Sequence, residues 1–133
     1  MFLAIGHPNP DAAMRFVAAG EISGLRAWLD GGGDVNQTDP ATNQTLLMAA
    51  AFEGQREIVK LLLDRGTNRD GALFAAVLGQ RGQIARELLA LGWDRHELQQ
   101  AVSMHRQVSE GVPVADDELG RLLRAALRAA KKG

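Results

Sequence analysis

The sequence predicts an all-α protein built as a stack of paired helices, and three observations support that prediction. Residues 44–66 contain two short amphipathic helices separated by a glycine. The same pattern recurs 34 residues earlier and 26 residues later. Alanine and leucine are abundant, tyrosine is absent and β-branched residues are scarce, which favours helices packed closely through small side chains.

The stretch 44–66 defines the repeating unit. Thr45 can cap the first helix, Gly54 interrupts the chain, and Gly66 supplies a positive-φ stop after the second helix. The apolar face of the second helix consists of Ile58, Val59, Leu62 and Leu63. A unit of this kind cannot bury its apolar face alone, so it predicts stacking against neighbouring copies.

Two further copies flank this unit. In the earlier copy Asp11 replaces Thr45 as the expected cap, Gly20 matches Gly54, and Gly32 matches Gly66. The later copy ends at Gly92, and eight residues are missing before it compared with the 34-residue period. The second-helix apolar positions of these copies are Leu25, Trp28 and Leu29, and Ile84, Ala85, Leu88 and Leu89.

The pattern resembles the ankyrin repeat, whose signature is a capping Thr, Pro-Leu-His, paired alanines, Gly, two aliphatics, Leu-Leu and a closing Gly. The Pro and His positions hold Leu46 and Met48, while the spacing is intact. The run 33–36 is close to the Gly-Ala-Asp-Val-Asn run that closes many ankyrin repeats. The resemblance covers residues 11 to 94 well and the remainder weakly.

The resemblance implies an ankyrin-like solenoid of about four helix–turn–helix repeats in one domain, residues 1–133. The expected repeats are 11–36, 37–69, 70–94 and an atypical terminal repeat, 95–131. Only residues 34–45 are long enough for the β-hairpin finger that joins repeats, with Asp39-Pro40 as its expected tip. Residues 108–115 predict a loop, and a C-terminal capping helix then begins near 116–118 with Leu119, Leu122, Leu123, Ala126, Leu127 and Ala130 on one face.

The composition excludes several classes of function. The formal net charge is −1, so we expect no bulk attraction to nucleic acid or to an anionic membrane. The absence of cysteine excludes disulfides, thiolate metal sites and cysteine nucleophiles. The first eleven residues lack the pattern of a signal peptide or membrane span, so we expect a cytoplasmic location. We also expect the protein to be a monomer.

Catalytic and metal sites have little support in the sequence. The three histidines, His7, His96 and His105, are too poorly spaced for shared metal ligation, and we interpret them as surface or cap residues. The run Gly31-Gly32-Gly33 follows a helix and lacks Lys-Ser/Thr, which indicates a helix terminator rather than a phosphate loop. We therefore predict no catalytic residue, no metal and no cofactor.

The resemblance also implies where a partner binds. In ankyrin proteins the groove is lined by finger residues and by the two positions before the mid-repeat glycine. Those two positions are Ala18 and Ala19, Phe52 and Glu53, Leu78 and Gly79, and Ser103 and Met104. The partner-binding residues we predict are Thr38, Pro40, Asn43, Gln44, Phe52, Glu53, Leu78 and Met104.

Three alternatives stay open at this point. Phe52, Leu78 and Met104 either line the groove or become core where the fingers are missing. Trp93 either plugs the vacated space or is an exposed anchor. The last helix carries a basic stripe that consists of Arg121, Arg124, Arg128 and Lys131 or Lys132. This stripe is either a contact for an anionic partner or a charge distribution matched to the helix dipole.

We therefore expect a non-enzymatic module that binds a protein partner of unknown identity through its concave groove. Small bacterial proteins of the family include inhibitors or immunity partners of toxic enzymes, adaptors and effectors. The alternative function is a nucleic-acid or anionic-surface binder that uses the basic C-terminal helix.

Overall fold

The computed structural model describes residues 10–109 and 118–132, which form α-helices joined by turns. The helices are α1 (Pro10–Ala19), α2 (Ile22–Asp30), α3 (Leu46–Glu53), α4 (Arg56–Asp64), α5 (Ala72–Leu78), α6 (Gly82–Leu89), α7 (Arg95–Val108) and α8 (Glu118–Lys132). The N-terminal stretch with His7, most of the predicted 108–115 loop, and Asp116 and Asp117 lie outside the described residues.

The helices pack as four pairs in chain order. The first helices contact one another in the series α1, α3, α5, α7, and each also contacts its own second helix. Among the second helices, α2 contacts α4 and α6 contacts α8. The four predicted helix pairs are therefore present in the predicted order.

The core follows the predicted repeat register. Equivalent positions of the first helices hold Leu47, Leu73 and Leu98, each at most 2% exposed. The second helices bury Leu25, Ile58, Leu62, Ile84 and Leu88. Because each first helix lies between two neighbours, small alanines allow the close approach: Ala50, Ala76 and Ala101 are fully buried.

The turns between the paired helices also keep the register. Gly20 and Gly54 have φ values of 72° and 80°, in the left-handed region that glycine adopts without a Cβ penalty. The third pair has Gln80 at the equivalent position, with φ of 58°. Packing thus holds a non-glycine residue in this conformation so that α6 can follow α5 as α4 follows α3.

Two predicted caps have different outcomes. Thr45 Oγ1 accepts a hydrogen bond from the Met48 backbone N at 3.1 Å, so the predicted cap of α3 is confirmed. The prediction that Asp11 caps α1 is wrong, because α1 begins at Pro10 and Asp11 lies in its first turn. Proline is well suited to the first helical position, since its φ is fixed near the helical value and its missing N–H has no partner there anyway.

The predicted β-hairpin finger is not supported. The part of the chain that the structure describes has no β-strand, and residues 38–45 form a turn closed by one isolated bridge between Thr38 and Thr45. Thr45 already caps α3, so the returning strand has no length. The loops after α4 and α6 are too short to supply neighbouring fingers, and an isolated hairpin is only marginally stable.

The interpretation of the histidines as surface or cap residues holds for His96, which is exposed, and is wrong for His105. His105 is 9% exposed on α7, and its Nε2 lies 3.3 Å from Ser109 Oγ. The position follows the buried Leu98 and Ala101 at helical spacing, so the ring lies on the face that α7 turns inward.

Candidate functional site

Six of the eight predicted binding residues lie at the two ends of α3, and Leu78 and Met104 lie on α5 and α7. Thr38, Pro40, Asn43 and Gln44 belong to the turn that precedes the helix, and Phe52 and Glu53 are its last two residues. Phe52 follows Thr45 by seven positions, which corresponds to about 10 Å along the helix axis. The structure therefore brings the turn and Phe52 onto one element without placing them in contact.

The turn is held by short hydrogen bonds of its own backbone and side chains. The Asn43 N donates to Asp39 O at 2.7 Å, and the Asp39 N donates to Gln44 O at 2.9 Å. The Asp39 carboxylate accepts from the Ala41 N at 2.8 Å. Thr38, Pro40 and Asn43 are exposed and Gln44 is half-buried, so the turn presents a polar surface.

Phe52 and Leu78 are large apolar side chains exposed on adjacent helix ends. They are 37% and 40% exposed, so neither belongs to the buried core. The ends of α3 and α5 touch, because a Cβ on Gly79 would lie 2.4 Å from the Phe52 carbonyl oxygen. Only glycine fits at this position without a shift of backbone, and its presence brings the two apolar residues onto one surface.

Arg81 fixes the same helix ends from the next turn. Its Nε donates to the Phe52 carbonyl oxygen at 3.0 Å, which satisfies a carbonyl that has no partner within α3. Its guanidinium covers Gly54, where a Cβ would lie 2.9 Å from Nε. Arg81 is exposed, so it adds a positive charge beside Phe52, whereas the exposed Glu53 adds a negative one.

Met104 lies farther along, beside an aromatic residue that the sequence did not single out. Met104 and Phe74 together line a depression between α5 and α7. Phe74 precedes Leu78 by four residues, so both lie on the same side of α5. The four-residue spacing of Phe74 and Leu78 could have identified Phe74 from the sequence. The family motif assigns groove positions only at the end of each first helix, so Phe74 was not among the predicted residues.

Trp93 fills space at the other end of the helices, where the fingers are missing. It is half-buried against the core, and its Nε1 donates to the Leu88 carbonyl oxygen at 2.6 Å. The Arg69 guanidinium lies 4.9 Å from the ring centroid, and its Nη1 donates to the Leu91 carbonyl oxygen at 3.3 Å. These contacts support the interpretation of Trp93 as a plug rather than an exposed anchor.

The described residues also bear on metal binding and membrane insertion. Residues 10–109 and 118–132 contain no group of three or more His, Asp or Glu side chains arranged to hold a metal ion. Among the same residues, no helix is both long and apolar enough to cross a membrane.

Comparison with known proteins identifies one family. The family model described as ankyrin repeats (3 copies) matches residues 12–97, which is more than half of the chain. Its span includes α1 to α6 and the start of α7, with Phe52 and Leu78 inside it. Comparison with curated proteins finds no match.

Proposed function

Because the chain belongs to the ankyrin repeat family, we propose that it is a non-enzymatic protein that holds one protein partner against the ends of α3 and α5. Ankyrin repeats are generally protein–protein interaction modules, and the family is typically non-enzymatic. The observation that supports this surface is the pair of exposed large apolar side chains, Phe52 and Leu78, on touching helix ends.

The chemistry around this pair suits an interface. Glu53 and Arg81 place charges of opposite sign at its edge, while Phe52 and Leu78 form an apolar centre. Binding patches typically combine a few apolar anchors with a polar rim, and the anchors supply most of the affinity. The proposed surface continues at the other end of α3 with Thr38, Pro40, Asn43 and Gln44. Met104 extends it onto α7.

We propose that the partner is a protein whose activity or location this chain controls, as an inhibitor, immunity protein or adaptor. A gene for a toxin or hydrolase beside the gene of this chain would favour the inhibitor role. The native partner can be captured from source cells and identified by mass. It is then the ligand for a calorimetric titration.

The double variant Phe52→Ala with Glu53→Arg tests the proposed surface. Loss of an aromatic anchor typically costs about 2 kcal/mol or more of binding, which is roughly a thirty-fold rise in Kd. Because Phe52 is exposed, we expect the melting temperature to change little. Calorimetric titration of the identified partner, with a melting curve of each variant, measures both quantities.

Leu122→Ala is the matched control, because Leu122 is also 40% exposed but lies on α8. We expect this change to leave the Kd unaltered. If the control weakens binding as much as the double variant, or if the double variant binds normally, the proposed surface is wrong. A large fall in melting temperature would instead show that Phe52 stabilises the core, where a cavity costs about 3–5 kcal/mol.

The rival proposal uses the exposed arginines of α8. Arg128 lies in the second half of α8, toward the negative end of the helix dipole, but Arg121 lies in the first turn, where positive charge is disfavoured. We expect Arg121→Gln with Arg128→Gln to leave partner binding intact. Salt-dependent retention on heparin that disappears in this variant, together with loss of the partner, would favour an anionic ligand.

A further inference from the structure

A depression of about 270 Å³ lies between α5 and α7, next to the proposed surface. Phe74 and Met104 supply its apolar lining, and both side chains are half-buried. The remaining lining residues are polar and sit on α7, namely His96, Gln99, Gln100, Ser103 and Gln107. Since Phe74 precedes Leu78 by four residues, the depression continues the row that begins at Phe52.

No aspartate, glutamate, lysine or arginine is among these lining residues, in contrast to the neighbouring ends of α3 and α5. A charged side chain placed in the depression would lose hydration without gaining an opposite charge, which is unfavourable. The amides of Gln99, Gln100 and Gln107 offer both donors and acceptors, and neutral backbone groups of a bound segment can use both.

The size of the depression also restricts its occupant. Sites for small molecules usually enclose about 300–1,000 Å³, so this volume is below that range. The depression is open to solvent, and its volume corresponds to roughly nine water molecules, so it has room for a large side chain. Met104 can adapt to aliphatic and aromatic shapes because its unbranched thioether is flexible.

We infer that this depression is a subsite for one large uncharged apolar side chain of the protein partner, flanked in the partner by neutral residues. The inference rests on the proposed function and adds the chemistry of the residue that is recognised. Phe74 and Met104 contact the inserted side chain, and the α7 glutamines hydrogen-bond to the backbone on either side of it.

Selection of random peptides displayed on phage against the immobilised full chain tests this inference. We expect the selected peptides to share a large apolar residue with uncharged neighbours. Titration of a selected synthetic peptide should shift the Met104 methyl resonance of the unmodified protein. Phe74→Ala should raise the peptide Kd about tenfold, while Leu122→Ala should leave it unchanged.

Three outcomes would overturn the inference. Peptides anchored by a charged side chain, an unmoved Met104 methyl signal, or binding that is indifferent to Phe74→Ala would each do so. If the peptides depend on Phe52 or Leu78 but not on Phe74, the subsite is wrong and the proposed function stands. If no selected peptide depends on Phe52, Leu78 or Phe74, both proposals fail.

Discussion

Gly66 ends the second helix pair in a conformation that side chains disfavour. Its φ is 77°, and the equivalent Gly32 and Gly92 have φ values of 102° and 86°. A Cβ on Gly66 would meet no atom within 4 Å, so space does not restrict this position. Backbone strain alone therefore determines the effect of a substitution.

Gly66→Val should lower the free energy of unfolding by roughly 1–3 kcal/mol, because a β-branched residue is forced into the left-handed region. Gly82→Val is the matched control, since a Cβ there also meets open space and its φ is not positive. We expect the control to stay within about 0.5 kcal/mol of the parent in urea unfolding. Equal destabilisation by both changes would contradict the strain argument.

The repeat spacing finds one part of the candidate site and misses another. Phe52 and Leu78 could be found because the repeat spacing places them at matching helix ends. Phe74 belongs to the site because it lines a depression together with residues of α7. Helix α7 has 14 residues where α5 has seven, so α7 extends beyond its neighbour. The 25-residue spacing aligns Leu98 with Leu73, but it contains no information about the length of α7.

An ion pair connects α4 and α6 on the second-helix side. Arg56 donates to both carboxylate oxygens of Glu87, with the shortest N–O distance at 2.7 Å. The hydrogen bond from Arg56 is the main cause that lowers the pKa of Glu87 below its ordinary value. Glu87 is therefore charged at neutral pH, and the pair is screened because both side chains are exposed.

Glu87→Gln should lower stability slightly at neutral pH and should not lower it in acid. Because the folded-state pKa is depressed, the pair stabilises the fold above the unfolded pKa of about 4.3 and is lost as pH falls through the folded value. Urea unfolding of both proteins between neutral pH and strong acid measures the difference. Glu53→Gln, at the last residue of α3, is the control, because the helix dipole does not stabilise a negative charge there, and we expect no comparable convergence for it.

For the whole molecule, the order of the helix pairs could be predicted more completely than the loop structure and the burial of single side chains. The matched positions of Leu25, Val59 and Ala85 predicted the helix pairs, since a repeating apolar face must be buried against its neighbours. The absence of the finger at Thr38–Thr45 follows from the cap at Thr45, which the sequence also predicts, because a cap there leaves the returning strand no length. His105 follows Leu98 and Ala101 at helical spacing, but the sequence alone does not show how closely neighbouring pairs cover its ring.

The chain should give a strongly helical circular dichroism spectrum and one cooperative thermal transition. The four pairs share one hydrophobic core cluster from Ala13 to Leu123, so the ends have little stability apart from the middle. Circular dichroism and calorimetry should give the same midpoint. Two resolved transitions would show that the pairs melt independently.

The bonds between successive pairs join residues that lie about one repeat apart along the chain, and this affects how fast the protein folds. The ion pairs Arg65–Asp30 and Arg56–Glu87 span 35 and 31 residues. The entropic cost of closing a loop rises only slowly with its length, and helical folds rich in local contacts reach the native state within microseconds to milliseconds. Synthesis on the ribosome adds about 5–20 residues per second, so each new pair can dock on the preceding one before the next has been made.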